Sequence, residues 1–293
     1  MDRFSGHRLD RQPAIEMDFY QLLAAPTWGE LASGLAERPR VRLARGSTIG
    51  SRCSATADFR DQFYGLAAST VNAGAGLLPS RRRLITTGLI DPLESLWGCR
   101  PTRINGVRYS HPAVDLDLLA TENPILAGWA QKRLVPKLLV ATQSKAIEVV
   151  PDLEGRLLPS VPVITVLPDP GSFWEIAAAL LSPVLCSYAL DTYVGSALSA
   201  DAIKLSARQL LELPAPPDAA AWERSGAEAR ALFSSGDRSP AAWRRLGEAT
   251  LAAYRIDDPA LLAWWLARVA RDSRMPCAAP PQPEGQSRHF TAS

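Results

Sequence analysis

The spacing of apolar residues changes several times along this chain, and each change marks a predicted element. From Ile15 the apolar positions Met17, Tyr20, Leu22 and Leu23 fall on a helical stripe, and Pro26–Thr27 supplies a stop and then an N-cap for the helix TWGELASGLAE. Arg40 to Leu43 alternates basic and apolar residues, as a half-buried strand does, and a second helix start is expected over residues 54–60. Residues 62–71 and 83–89 read as strands, separated by the Asn72-Ala-Gly-Ala-Gly turn and the Pro79-Ser-Arg-Arg-Arg loop. Gly98, Pro101, Asn105 and Gly106 punctuate residues 97–107 and predict a hairpin.

After a His111–Pro112 turn, residues 123–133 read as a helix entered through Asn123–Pro124. Residues 136–142 and 145–150 are predicted strands, and the turn Asp152-Leu-Glu-Gly155 precedes two more at 156–158 and 160–167. Ser172 is placed to cap a helix through Leu181, with Glu175 completing a capping box, and Pro183 starts or kinks a further helical piece to about Tyr193. Residues 219–270 have helical period, with breaks expected at Gly236, Gly247 and Asp257-Asp258-Pro259, and the Pro/Gly/Ser/Gln-rich end beyond Met275 is expected to be disordered. Strands mix with helices without regular βαβ alternation, which predicts an α+β fold. The expected organisation is a loose segment 1–14, an α+β domain 15–215, a helical subdomain 216–275 and a tail 276–293.

Composition changes the picture little: 47% apolar residues support a folded core, and the net charge of +2 is too small to imply a partner. The longest apolar run, residues 176–190, is broken by Ser182–Pro183 and falls short of the roughly 20 residues that cross a bilayer. With a charged start lacking a secretory signal, the chain is expected to stay in the cytoplasm, away from membranes. Cys53, Cys99, Cys186 and Cys277 show no metal-ligand spacing, so thiols and no metal site are expected. The distribution of charge says more. Between Arg38 and Arg108 stand twelve arginines against the four acids Asp58, Asp61, Asp91 and Glu94, and the guanidinium fork suits phosphates and guanine edges as well as a solvated face.

Candidate chemistry is sparse. His7, His111 and His289 stand alone, and no GxSxG elbow is present. Asp115 and Asp117 would share a face if they lay on a strand. Trp243, Trp264 and Trp265 sit at helical spacing among Leu and Ala, which favours packing over a ligand cage. Arg60, Asp61, Gln62, Phe63 and Tyr64 gather groups able to grip purine edges and stack on a base, although composition alone favours a core role for the aromatics and a local ion pair between Arg60 and Asp61.

The order of motifs adds a family. FRDQFYGL (Phe59 to Leu66), TTGLIDP and LWG (Thr86 to Gly98), VPKLLVATQSK (Val135 to Lys145), LPSVPVITV (Leu158 to Val166), LLSPV (Leu180 to Val184), SADAIKLSARQLLELP (Ser199 to Pro214) and AAYRIDDPALLAWWLAR (Ala252 to Arg268) occur in sequence. Together they resemble the C-terminal target-recognition region, TaqI-like in character, of actinobacterial N-6 adenine DNA methyltransferases of restriction–modification type, from about Phe19 to about Arg268. Such enzymes carry FxGxG and (D/N)PPY in a preceding catalytic domain. Here Asn123–Pro124, Asp169–Pro170 and Asp258–Pro259 each lack the second proline and aromatic, and Phe4-Ser-Gly6 is followed by His7.

The resemblance therefore implies a DNA-binding specificity module that reads a duplex site for a methyltransferase, with no catalytic or cofactor-binding residues of its own. S-adenosylmethionine would enter only through a methyltransferase catalytic chain acting as partner. It implies DNA contact by Arg60, Gln62 and Tyr64, by Lys137, Gln143, Ser144 and Lys145, and by Lys204 and Arg208. Charge alone adds Arg81, Arg82, Arg83 and Arg103 as phosphate contacts. A split or complete S-adenosylmethionine-dependent adenine methyltransferase, and a scaffold docking partners through its last helices, are the alternatives.

Overall fold

The computed structural model describes residues 39–44, 46–58, 60–74, 77–193 and 202–269. The helix expected from Thr27, the stripe around Tyr20 and the tail beyond Met275 lie outside them. Helices and strands mix as predicted, giving an α+β fold. Strands are numbered β1–β14 and helices α1–α9 in chain order.

Two four-stranded sheets carry the architecture. The first has the order β1 (Cys53–Thr56), β13 (Ile164–Pro168), β9 (Lys137–Val140), β11 (Val149–Asp152), with every neighbour antiparallel. The second has the order β12 (Leu157–Pro159), β3 (Arg81–Ile85), β8 (Pro112–Asp115), β2 (Thr70–Asn72), and only β12 runs parallel to its neighbour. β9 is buried along its whole length, and because successive side chains enter opposite, equally covered faces, Leu138, Leu139 and Val140 are apolar without alternation. Leu138 and Val140 face a large cluster shared with helices, whereas Leu139 joins Ile85, Val150 and Leu157 in a second cluster between the sheets. On the second sheet the same alternation sends Leu84, Val114 and Leu158 into a third cluster, closed by α2 (Leu116–Glu122) and α3 (Pro124–Arg133).

The large cluster is covered by α4 (Phe173–Leu181) and α5 (Pro183–Thr192), bent by 60° at Ser182–Pro183. The bend follows from local chemistry: proline has no N–H to donate, so it opens a new helix, and Ser182 Oγ accepts from Leu185 N–H at 3.0 Å. Ser172 precedes α4 but makes no side-chain cap bond, so the predicted capping box is absent; Glu175 instead lies 3.7 Å from Arg52. α7 (Ala219–Ser235), α8 (Pro240–Ala253) and α9 (Pro259–Val269) pack into this same cluster. Asp218 and Ser239 cap the first two, and Gly236, with φ +66°, ends α7 where sequence places a break. Gly247 is no break: it lies inside α8, where an added Cβ would stand 2.4 Å from Leu262 Cδ1 and 2.9 Å from the Trp265 ring.

Other local readings are corrected. Residues 54–60 begin as β1 rather than a helix. Residues 62–71, read as a strand, contain most of α1 (Arg60–Gly65), and β2 starts only at Thr70. The helix wins there because it drops Leu66 into the third cluster and brings Gly65 so close to α3 that a Cβ would meet Leu126 Cδ2 at 2.7 Å. The predicted strand at 83–89 divides into β3 and a 3-10 turn, Thr87–Leu89. Cys53 and Cys186 are buried free thiols, as expected. Among the described residues no single helix is long and apolar enough to cross a membrane; the bent α4–α5 pair meets that test by length and composition, but its residues line the core.

Candidate nucleic-acid interface

Three two-stranded ribbons stand apart from the two sheets in pairing: β4 (Ile90–Asp91) with β5 (Glu94–Ser95), β6 (Thr102–Ile104) with β7 (Val107–Tyr109), and β10 (Gln143–Ser144) with β14 (Ile203–Lys204). The last joins two segments far apart in sequence. Gln143 pairs with Lys204 and Ser144 with Ile203, so residues from the VPKLLVATQSK and KLSAR motifs share one short ribbon. Ile203 is buried in the large cluster and anchors it, while Lys204 and Lys145 are exposed. Ser144 Oγ donates to the Ala146 carbonyl. Arg208, in α6 (Ala207–Leu211), is exposed and bonds Glu212 at 2.9 Å, an i,i+4 surface pair that contributes little to stability. Ser206 caps α6 with a complete capping box, fixing the helix just beyond the ribbon.

Lys137 is a correction. Its side chain is fully buried, its ammonium is ion-paired with Asp152 directly across the β9–β11 register, and it donates to the Val135 carbonyl at 3.2 Å. Asp152 also accepts from the N–H groups of Arg156 and Leu157, both at 2.9 Å, which shapes the turn into β12. Burial drives the Lys137 pKa down, and the Asp152 carboxylate only partly offsets that. Lys137 therefore holds the sheet edge and faces no solvent-borne phosphate.

The arginines predicted from charge divide by their partners. Arg81 Nε lies 3.1 Å from Asp115 Oδ2, Arg82 donates to the Pro79 carbonyl at 2.5 Å, and Arg83 stacks over Trp97 with its Cζ 4.7 Å from the ring centroid. Burial lowers the Arg83 pKa, and nearby Arg156 adds to the effect. Trp97 is itself fixed, donating from Nε1 to the Pro112 carbonyl at 2.6 Å and meeting the His111 ring edge-on at 5.1 Å. Arg103 differs: it is exposed on β6, and β7 sets Arg108 directly opposite it. Arg108 was missed by residue-level reasoning, although the two-residue Asn105–Gly106 turn signals it.

In α1, Tyr64 is 59% exposed, and Gln62 is half-buried with Oε1 shielded from solvent and lacking a hydrogen-bond partner. Arg60 opens this helix; its side chain lies outside the described set. The helix is positioned from below by Asp58, which accepts from Trp129 Nε1 at 3.0 Å and from Arg133 Nε at 3.0 Å.

Asp115 caps α2 and pairs with Arg81, and Asp117 lies inside the helix, so the two acids do not share a strand face. Among the described residues no group of three or more His, Cys, Asp or Glu could hold a metal ion. Trp243 and Trp265 are buried and meet edge-on at 5.9 Å, and Trp264 is covered by Arg268, its Cζ 4.1 Å from the ring centroid. The three tryptophans of the last helices thus pack as expected, two in the core and one beneath an arginine.

No family model and no curated protein matches this chain. Among solved structures it is similar to a Type IIL restriction-modification enzyme, MmeI, in complex with DNA, with a TM-score of 0.47 and 13% identity, covering 79% of this chain and 37% of that one. The chain thus spans well under half the length of that enzyme.

Proposed function

We propose that this chain is a DNA-binding specificity module that recognises a duplex target site for an N-6 adenine DNA methyltransferase of a restriction–modification system, acting in the cytoplasm and not catalytic alone. The observation that carries the reading is the β10–β14 ribbon, which brings Gln143, Ser144 and Lys204 together from two separate motifs of the resemblance to TaqI-like target-recognition regions. A carboxamide beside an exposed ammonium on a ribbon suits a nucleic-acid groove: glutamine can bond adenine bidentately while lysine meets phosphate. Catalysis and S-adenosylmethionine would belong to a separate methyltransferase chain.

Fluorescence anisotropy against duplex DNA between 50 and 200 mM salt tests this reading. Log affinity falls with log salt with a slope of about −0.9 per phosphate neutralised. Weak binding without salt dependence rejects the module. Calorimetry with S-adenosylmethionine separates the main alternative, since tight uptake by this chain alone would make it a complete methyltransferase.

A further inference from the structure

We propose that the β6–β7 hairpin is a phosphate clamp that seats the chain on the sugar–phosphate backbone of duplex DNA, with Arg103 and Arg108 as the contacting pair. The proposal deepens the DNA-binding reading and rests on it. Asn105 and Gly106 both have positive φ, 48° and 81°, the conformation that matches a two-residue turn to the twist of its strands. That turn fixes the register Ile104↔Val107, Arg103↔Arg108, Thr102↔Tyr109.

Paired residues share a face, and successive residues alternate between faces. Ile104 is buried in the third apolar cluster, Tyr109 packs against that cluster, and Thr102 Oγ1 lies 3.0 Å from Thr86 Oγ1. The inward face is therefore anchored at three points, and both guanidiniums leave on the outward face, exposed. Neither has a hydrogen bond, ion pair or ring partner among the described residues, unlike Arg81, Arg82 and Arg83.

Like charges held directly opposite on a ribbon destabilise it, and an anion between them removes the penalty. A phosphodiester carries that charge on oxygens whose geometry matches the guanidinium fork. Arg100, exposed just ahead of β6, extends the cationic face. A nucleic-acid backbone is favoured over an acidic protein because Arg103 and Arg108 need an anion of no particular sequence, and duplex phosphates repeat along the whole ligand. Between Arg81 and Tyr109 the sequence offers six arginines against Asp91 and Glu94.

The test compares the wild-type chain with R103Q/R108Q and R103K/R108K on two duplexes of unrelated sequence, by anisotropy over a salt series, with thermal melts confirming the fold. The glutamine pair is expected to reduce the salt slope by about 1.8 on both duplexes, from about 0.9 for each lost contact, and the lysine pair to restore it. R103Q and R108Q singly read half of that change, so the answer does not depend on the double variant folding. An unchanged slope in the glutamine variants, with wild-type binding intact, overturns the clamp and leaves the DNA module standing. A loss confined to one duplex overturns the phosphate role in favour of base reading. Polyglutamate bound as tightly as duplex at the same salt overturns it in favour of an acidic protein. A wild-type chain that binds neither duplex overturns both proposals.

Discussion

Two glycines in helix interiors should respond oppositely to the same exchange. Gly128 in α3 has nothing within 4 Å of an added Cβ, so Gly128→Ala should capture the helix-propensity gain of roughly 0.8–1 kcal/mol. Gly226 in α7 is buried, and its Cβ would stand 2.9 Å from Glu175 N, 3.1 Å from Trp174 C and 3.2 Å from Glu175 Cα. These are main-chain atoms of the first turn of α4, and they cannot swing away as a side-chain tip can. The contact is also fastened from both sides. Trp222 Nε1 donates to the Glu175 carbonyl at 2.7 Å, and the Phe233 ring lies 5.3 Å from that of Trp174. Overpacking of this kind costs about 1–3 kcal/mol. Gly226→Ala should therefore be neutral to destabilising by about 2 kcal/mol after the propensity gain is subtracted, and should lie about 1–3 kcal/mol below Gly128→Ala, because the propensity contribution cancels between them. Urea unfolding of both variants measures this, provided the slopes agree so that midpoints report stability. A Gly226→Ala midpoint equal to or above that of Gly128→Ala would refute the close approach of α7 to α4.

Three further outcomes follow from particular contacts. Lys137→Met should destabilise by about 3–5 kcal/mol, because it strands the buried Asp152 carboxylate, yet leave the salt dependence of DNA binding unaltered; a shallower slope in the folded variant would return Lys137 to the interface. At Asp115, burial alone would raise the carboxyl pKa, but the Arg81 guanidinium and the Leu118 and Asp117 N–H groups together hold it below the ordinary range. The unfolded chain then binds the proton more readily, so this stabilisation is present above about pH 3.9 and lost as pH falls through the lower folded value; Asp115→Asn should flatten that acid limb, and an acid limb parallel to wild type would count against it. Lys204→Gln should lower the salt slope by about 0.9 while leaving the stability from urea unfolding within about 0.5 kcal/mol of wild type, since the residue is exposed; full retention of the slope would remove the β10–β14 ribbon from the contact surface.

The elements that sequence located are those whose signals are local. Pro183 opens α5 and Gly236 closes α7, because a missing N–H and a left-handed backbone act within a turn of the residue that causes them. Asn105–Gly106 set the hairpin for the same reason. What sequence misread was decided at a distance. Residues 62–65 form a helix because Gly65 admits Leu126 of α3, and Gly247 continues α8 because α9 lies against it; neither neighbour is visible from the local pattern. The parallel pairing of β3 with β12 joins segments that β8, β9 and β11 separate in sequence, and a two-residue period carries no information about which strands meet.

For the candidate site, the limit lies in the difference between charge and available charge. Arg81, Arg82, Arg83 and Arg103 look alike in a count of basic residues, yet an acid on the next strand, a carbonyl at the preceding loop and an indole face already engage the first three. Lys137 fails most completely, since β9 is buried on both faces and its ammonium is held by Asp152 directly across the register on β11. The opposite error concerns Arg108, whose position across from Arg103 follows by counting outward from the Asn105–Gly106 turn. A cation's worth to an anionic ligand thus depends on what the fold has left unpaired beside it, and register supplies that knowledge in a hairpin where composition cannot.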